Sequence, residues 1–205
     1  PDVLELRDVE KPVVTDGGVL VRTRAASVNP YDWHSMRGKP LFMRSMTGWL
    51  KPKVEHFGAD FAGEVEAVGK DVTRFRPGDA VYGEGSGAFA EYISVPERWL
   101  AKKPVNLTFE QAAAVPMAGM TALQSLRDGG KIQAGQKVLV NGASGGVGTF
   151  AVQIAKLFGA EVTGVCSTRN VEMVKSLGAD HVVDYTRDDF ARGGACYDLM
   201  LDTIG

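Results

Sequence analysis

"VLVNGASGGVGTFAVQIAK", residues 138–156, decides how the second half of the chain is read. Val138–Val140 is a short apolar run, bounded by "KIQAGQK" before it and Asn141-Gly142 after it, which reads as a buried parallel strand. Phe150, Val152, Ile154, Ala155 and Phe158 then recur at helical spacing, and Gly159 stands where a C-cap glycine belongs. Between strand and helix come four glycines, an alanine and a serine. Such a knot is either a tight turn and nothing more, or a place where something must approach the backbone closely.

The spacing favours the second reading. Gly142, Gly145 and Gly148 form G-x-x-G-x-x-G, with Ala143 where the dinucleotide fingerprint G-x-G-x-x-G has its first glycine. Its physical demands are still met: small residues for the turn, bare N–H groups for a pyrophosphate, and no side chain where helix meets strand. A helix beginning near Gly146 aims its free N–H groups and the positive end of its dipole into the turn. Gly142, Ser144, Gly145, Gly146, Val147 and Gly148 are therefore the expected pyrophosphate cradle. The position after a strand, before a helix and inside a βαβ unit makes the pattern informative; glycines alone would not be.

Outward from this turn, strands are expected at Glu161–Cys166, His181–Asp184 and Tyr197–Asp202, with a helix from about Asn170 to Leu177. The junctions "KLFGAEV" (156–162) and "KSLGADHV" (175–182) repeat one scheme of helix end, glycine, alanine, acidic residue and strand. Two βα units in series predict a parallel sheet with right-handed crossovers. An NAD site carries Asp or Glu about 20 residues past the glycines. Here the second strand ends in Cys166, Ser167, Thr168 and Arg169, with no carboxylate until Glu172. Hydroxyls and a guanidinium suit a phosphate dianion, which points to NADP(H). The alternative is that Ser167 only starts a helix and Arg169 is a surface charge.

The first half reads differently. Apolar runs at Val19–Val21, Gly63–Val68 and Ala80–Tyr82 are separated by "TDGG", "GKD" and "RPGDA", the punctuation of a β-rich, barrel-like unit. Thr108 with Gln111 forms a capping box at the start of the α/β part. The expected domains are thus 1–108 and 109–205.

Bulk properties exclude several classes. Over 205 residues the formal charge is −2, with 44% hydrophobic and 23% charged residues, which gives no electrostatic case for nucleic acid or an anionic membrane. The longest apolar stretch, Ala112 to Leu123, is interrupted by Pro116 and Gly119 and is too short to span a bilayer. Two cysteines are too few for a disulfide framework. No secretory leader is visible, although the chain begins at Pro1 without a methionine; a cytoplasmic location is the expectation.

"AASVNPYDW" (25–33), "FGADFAGEVEAVG" (57–69), "RFRPGDAVYG" (74–83), "GAFAEYISVPE" (87–97) and "AAAVPMAGMTAL" (112–123) precede the glycine turn in that order. In this ordered set the chain resembles the medium-chain dehydrogenase/reductase superfamily, and most closely its zinc-free, quinone oxidoreductase-like branch. The resemblance implies a GroES-like β-rich domain with a Rossmann doubly wound parallel sheet. It also implies further strands beyond the four visible here, so a second domain truncated at its C-terminus is expected. Zinc-dependent members hold their catalytic metal at positions that here read Asn29 and Ala59, neither a ligand. His34, His56 and His181 have no ligand spacing and are expected at the surface or in caps. No metal site is expected.

The resemblance brings Asn29 and Tyr31 to the nicotinamide. Asn29 is the candidate donor to a substrate oxygen and Tyr31 the candidate proton donor, with a packed aromatic beside Trp33 as the alternative for Tyr31. Asp32 is expected to orient its neighbours. Thr121 is implied as a nicotinamide contact and Tyr185 as a contact at the adenosine end, or else a plain loop aromatic. Cys166 is expected to be a buried strand residue. The basic, apolar-rich block 37–53 reads as a flap over an acceptor pocket or as an interface patch. Without zinc, a quinone or an α,β-unsaturated carbonyl is a better hydride acceptor than a simple ketone, because the developing enolate needs only hydrogen bonds and a proton. The expected activity is therefore NADPH-dependent reduction of such a small molecule, with a homodimer as the candidate assembly. A non-catalytic NADPH-binding relative and an alcohol dehydrogenase-type enzyme are the alternatives.

Overall fold

The structure is a computed structural model that describes residues 5–38, 56–188 and 196–204. Residues 39–53 of the basic block lie outside the described residues. The chain divides into two compact units, Pro1–Met117 and Ala118–Gly205.

The first unit is built on an antiparallel sheet of five strands: β1 (Gly18–Ser27), β2 (Asp60–Val68), β3 (Ala80–Glu84), β4 (Tyr92–Pro96) and β5 (Leu100–Lys102). Their order is β4-β1-β2-β3-β5. The turn signals do what their chemistry dictates. Gly18 N–H closes the "TDGG" turn on Thr15 O at 2.9 Å, and Asp79 N–H closes "RPGD" on Arg76 O at 3.1 Å. Val19, Val21, Phe61, Val81, Ile93 and Leu100 meet in one apolar core on the inner face of the strands. β2 begins at Asp60, three residues before the apolar run that announced it, because Asp60 still pairs with Ser27 on one side and Glu84 on the other.

Helix α1 (Pro30–Arg37) follows β1 directly. Pro30 at the first helical position needs no N–H partner, and Asp32 in the first turn accepts from Asn29 N at 2.7 Å. Gly38, left-handed at φ 56°, ends the helix. Helix α2 (Phe109–Ala113) is capped by the Thr108–Gln111 box, with Gln111 N donating to Thr108 Oγ1 at 3.2 Å and Thr108 N to Gln111 Oε1 at 3.0 Å. Ala112 and Ala113 pack on Ala62 of β2 with Ala25 and Tyr82. This apolar contact draws α2 into the first unit, so the contacts divide at Met117/Ala118 and not at Thr108/Phe109.

Helix α3 (Pro116–Gln124) runs across that division and continues into a wider helical turn, Ser125–Gly129. The second unit then alternates β6 (Lys137–Asn141), α4 (Gly146–Leu157), β7 (Glu161–Cys166), α5 (Val171–Ser176), β8 (His181–Asp184) and β9 (Leu199–Asp202). All four strands are parallel, in the order β8-β7-β6-β9. Val138, Leu139 and Val140 are fully buried, as a central strand covered on both faces requires. Ala151, Val152 and Ala155 of α4 supply the helix side of the core against Val138, Val140 and Val162. Glu161–Cys166 and His181–Asp184 fall where the sequence places them. The helix after β7 begins at Val171 with Asn170 as its N-cap, as expected, and is preceded by a tighter turn at Thr168–Asn170. Among the described residues no helix is long and apolar enough to cross a membrane.

Candidate functional site

The glycine turn leaves the carboxyl end of β6. Here the chain first builds outward to β7 and β8, then returns to set β9 on the other side of β6. Ligands of open α/β sheets bind at such a reversal. Gly142 is left-handed at φ 81°, and a Cβ there would stand 2.4 Å from Thr203 Oγ1. A Cβ on Gly148 would lie 2.1 Å from Gly142 O, so α4 approaches the turn only because that side chain is missing. Gly145 and Gly146 are different. A Cβ on Gly145 would come no closer than 3.4 Å to Gly142 O, and one on Gly146 no closer than 3.8 Å to Ala118 Cβ. Packing therefore explains Gly142 and Gly148, while Gly145 and Gly146 are exposed and would meet protein atoms only at ordinary van der Waals distance, with the Gly145 N–H donating to Gly142 O at 2.9 Å. A cradle at the first turn of α4, where the N–H groups have no partner within the helix, fits a dinucleotide pyrophosphate.

The carboxyl ends of β7 and β8 stand beside it. Asn170 Nδ2 donates to Ser144 Oγ at 3.0 Å and to Ser167 Oγ at 3.3 Å, so it ties the glycine turn to the end of β7. Tyr185 follows β8, with its N–H on Cys166 O at 3.1 Å and its ring 55% exposed. Cys166 is buried, and burial together with the Asp184 charge pushes its thiol up. Arg169 is exposed. The Thr168 hydroxyl, expected at the cofactor phosphate, has partners of its own here. It donates to Asp184 Oδ2 at 2.5 Å and lies 2.9 Å from Thr186 Oγ1. The Thr168 and Thr186 hydroxyls hold the Asp184 carboxyl below the usual carboxylate range.

In the first unit, Asn29 stands between the end of β1 and the start of α1. Its Nδ2 lies 3.2 Å from Asp60 Oδ2 and 3.3 Å from Ser27 Oγ. Asp60 also accepts from Ser27 Oγ at 3.3 Å and from Met117 N, in the first turn of α3, at 3.1 Å. The residue is fully buried. Burial pushes its carboxyl up to about 6, and the nearby negative charge of Glu84 adds to this, against the lowering effect of the Met117, Asn29 and Ser27 hydrogen bonds. Tyr31 is 47% exposed on α1, while Trp33 stacks on His34 with ring centroids 3.7 Å apart. Thr121 is exposed on α3. Among the described residues no group of three or more His, Cys, Asp or Glu is placed to hold a metal ion.

The structure thus joins Ser144 with Ser167, and Asn29 with a carboxylate the sequence reading passed over. Three residues were missed: Asp60, Asn170 and Asp202, whose Oδ1 accepts from Asn141 Nδ2 at 3.0 Å at the foot of the glycine turn. Asp60 had a signal, an acidic residue opening an apolar run in "GADFAG". Asp202 ends the last apolar run as Asn141 ends the first, so the pair was also open to inference. Asn170 was legible only as a helix start with Ser167 three residues before it, while its partner Ser144, 26 residues earlier, is brought to it by the fold.

Comparison with known proteins agrees with this architecture. Residues 15–105 match the alcohol dehydrogenase GroES-like domain, and residues 146–205 match the family described as zinc-binding dehydrogenase. The chain is 41% identical to a chloroplast envelope quinone oxidoreductase homolog of Arabidopsis thaliana, over 96% of this chain and 63% of the relative. It is 37% identical to a chloroplastic NADPH-dependent alkenal/one oxidoreductase of the same plant, over 100% of this chain and 54% of the relative. The solved quinone oxidoreductase of Coxiella burnetii superposes with a TM-score of 0.88 at 33% identity, covering 100% of this chain and 65% of that one. The chain therefore spans between about half and two thirds of the length of these proteins. With a GroES-like unit, a Rossmann-like unit and these relatives, the chain belongs to the medium-chain dehydrogenase/reductase superfamily, in its quinone oxidoreductase-like branch.

Proposed function

We propose that this chain is part of an NADPH-dependent reductase of quinones or α,β-unsaturated carbonyl compounds that works without a metal. The observation that carries the reading is the exposed glycine backbone at Gly146, in the first turn of α4 and at the reversal of a parallel sheet, where no close packing excludes a side chain. The names of the relatives support the substrate class and the nicotinamide.

In this reading the Ser144–Gly148 turn receives the pyrophosphate on the N–H groups of Gly146, Val147 and Gly148 in the first turn of α4, the Gly145 N–H being taken by Gly142 O. Arg169, exposed and with no ion pair among the described residues, meets the 2′-phosphate with the Ser167 hydroxyl beside it. Thr168 keeps the Asp184 carboxylate in place instead of binding phosphate. Tyr185 covers the adenosine end and Thr121 the nicotinamide end. The bound nicotinamide supplies the hydride. Asn29 donates an N–H to the substrate oxygen on which negative charge develops. Tyr31, half-exposed at the start of α1, delivers the proton. Where zinc-dependent relatives place ligands, Asn29 and Ala59 offer no metal-binding atom of the usual kind.

The test is steady-state oxidation of NADPH by the full-length protein with a panel of quinones and alkenals. Turnover supports the reading. Tight NADPH binding with no turnover of any acceptor replaces it with a binding protein, and metal-dependent oxidation of an alcohol replaces it with an alcohol dehydrogenase.

A further inference from the structure

We propose that Asp60 is a positioning residue whose buried carboxylate fixes the amide of Asn29 and thereby decides whether an N–H of that amide faces the substrate oxygen. The inference rests on the reductase reading for what Asn29 does, but the arrangement itself is independent of it.

Asn29 Nδ2, Asp60 Oδ2 and Ser27 Oγ form a near-equilateral triangle with sides of 3.2, 3.3 and 3.3 Å. The angle that two such acceptors subtend at Nδ2 is about half that between the two N–H bonds of a planar amide. One N–H can therefore reach both acceptors, and the second is left for a ligand oxygen. Every partner of Asp60 is a donor: Ser27 Oγ, Asn29 Nδ2 and Met117 N. That is the environment of an ionised carboxylate. A proton on Asp60 would add an O–H donor where Asn29 needs an acceptor, and the amide would lose its anchor or turn over.

The charged and titratable neighbours are few. On β3, Glu84 pairs across the sheet from Asp60. On α1, Asp32 is joined through its hydrogen bond from Asn29 N. At the contact itself β1 offers the Ser27 hydroxyl and α3 a backbone N–H. No cation among these partners compensates the buried charge, so the ionisation of Asp60 and the orientation of Asn29 are coupled near neutral pH, with burial as the main cause.

The test uses the full-length protein labelled with ¹⁵N-asparagine and read by NMR between pH 5 and 8. The side-chain amide signals of Asn29, assigned through Asn29→Asp, are expected to titrate with a midpoint near 6 in the wild type and to stay flat in Asp60→Asn. In parallel, kcat/KM for the quinone or enone should fall as pH drops through that midpoint. Asp60→Asn should remove this step and lower kcat/KM on the order of tenfold, as for loss of a hydrogen bond to a charged group, with KM for NADPH unchanged. An Asn29 signal that is flat in the wild type, or that titrates equally in the variant, overturns the proposal. The wild-type titration decides even if the variant does not fold. A protein that turns over acceptors while Asn29 stays flat refutes the positioning role alone. One that turns over nothing while Asn29 titrates and the variant does not refutes the reductase reading alone.

Discussion

A side chain on Gly148 would begin 2.1 Å from the carbonyl oxygen of Gly142, closer than any two such atoms can stand. One helical turn presses on one loop, and the only relief available would be movement of backbone. Gly146, two residues earlier, has nothing nearer than 3.8 Å. The same loop thus holds one glycine that the fold requires and one that it does not.

Gly148→Ala should therefore destabilise the protein by about 1–3 kcal/mol, the usual cost of overpacking a closed contact. Gly146→Ala should keep stability within about 1 kcal/mol of wild type, since alanine is the better helix former, while weakening NADPH. Urea unfolding paired with a fluorescence titration of NADPH separates the two. Equal loss of stability in both variants would mean that packing alone sets the loop.

On the proposed reading Arg169 and Asn170 are neighbours with different tasks. Arg169→Ala should raise the Kd for NADPH about 10- to 100-fold, the scale of one hydrogen bond to a charged group, and leave NADH nearly unchanged. Asn170→Ala should weaken both cofactors several-fold, because it releases Ser144 from Ser167 and loosens the pyrophosphate turn. Binding titrations with the two nucleotides check both, and an equal loss for NADPH and NADH in Arg169→Ala removes the 2′-phosphate assignment.

Much of this was legible in the sequence because it rests on local chemistry. The glycine spacing, the helical period of Phe150–Phe158 and the Thr108–Gln111 box each act within a few residues, and each is found in place. What escaped depends on partners that only the fold brings together. Asp60 draws no notice in the sequence, because Ser27, 33 residues earlier, and Met117, 57 residues later, are brought around it only by the fold. The contact of the Thr168 hydroxyl with Asp184 likewise depends on β8, which brings the carboxylate to it across 16 residues. The edge of the first unit shifted for a similar reason: alanines 112 and 113 carry no directional signal, and their burial against Ala62 is a tertiary fact.

Tyr31→Phe tests the proton donor. The ring is half-exposed, so the loss of one hydroxyl should leave stability within about 0.5 kcal/mol. If the phenol delivers the proton, kcat should drop about 100-fold, the lower range for general acid catalysis, with NADPH binding unchanged. Stopped-flow measurement of a single turnover reads the step directly. An unchanged rate assigns the proton to solvent.

Asp60 also leaves a mark on stability that needs no substrate. Its carboxyl is raised from 3.8 to about 6 in the folded protein by burial. The folded state therefore holds this proton more tightly than the unfolded chain. Between those two values folding takes up a proton, so the unfolding free energy falls as pH rises through that window and levels off above it. The shift corresponds to about 3 kcal/mol at 1.36 kcal/mol per pH unit. Asp60→Asn cannot titrate, so the stability difference between wild type and variant should shrink by about 2 kcal/mol of that amount, or reverse, from pH 4 to pH 6.5. Carboxylates that do not interact with Asp60 cancel in the comparison. Denaturant unfolding of both proteins at several pH values measures it. A difference that stays constant across the window would mean that the network around Asn29 and Met117 holds the carboxylate as comfortably as water does, and the coupling between Asp60 and Asn29 would lose its thermodynamic basis.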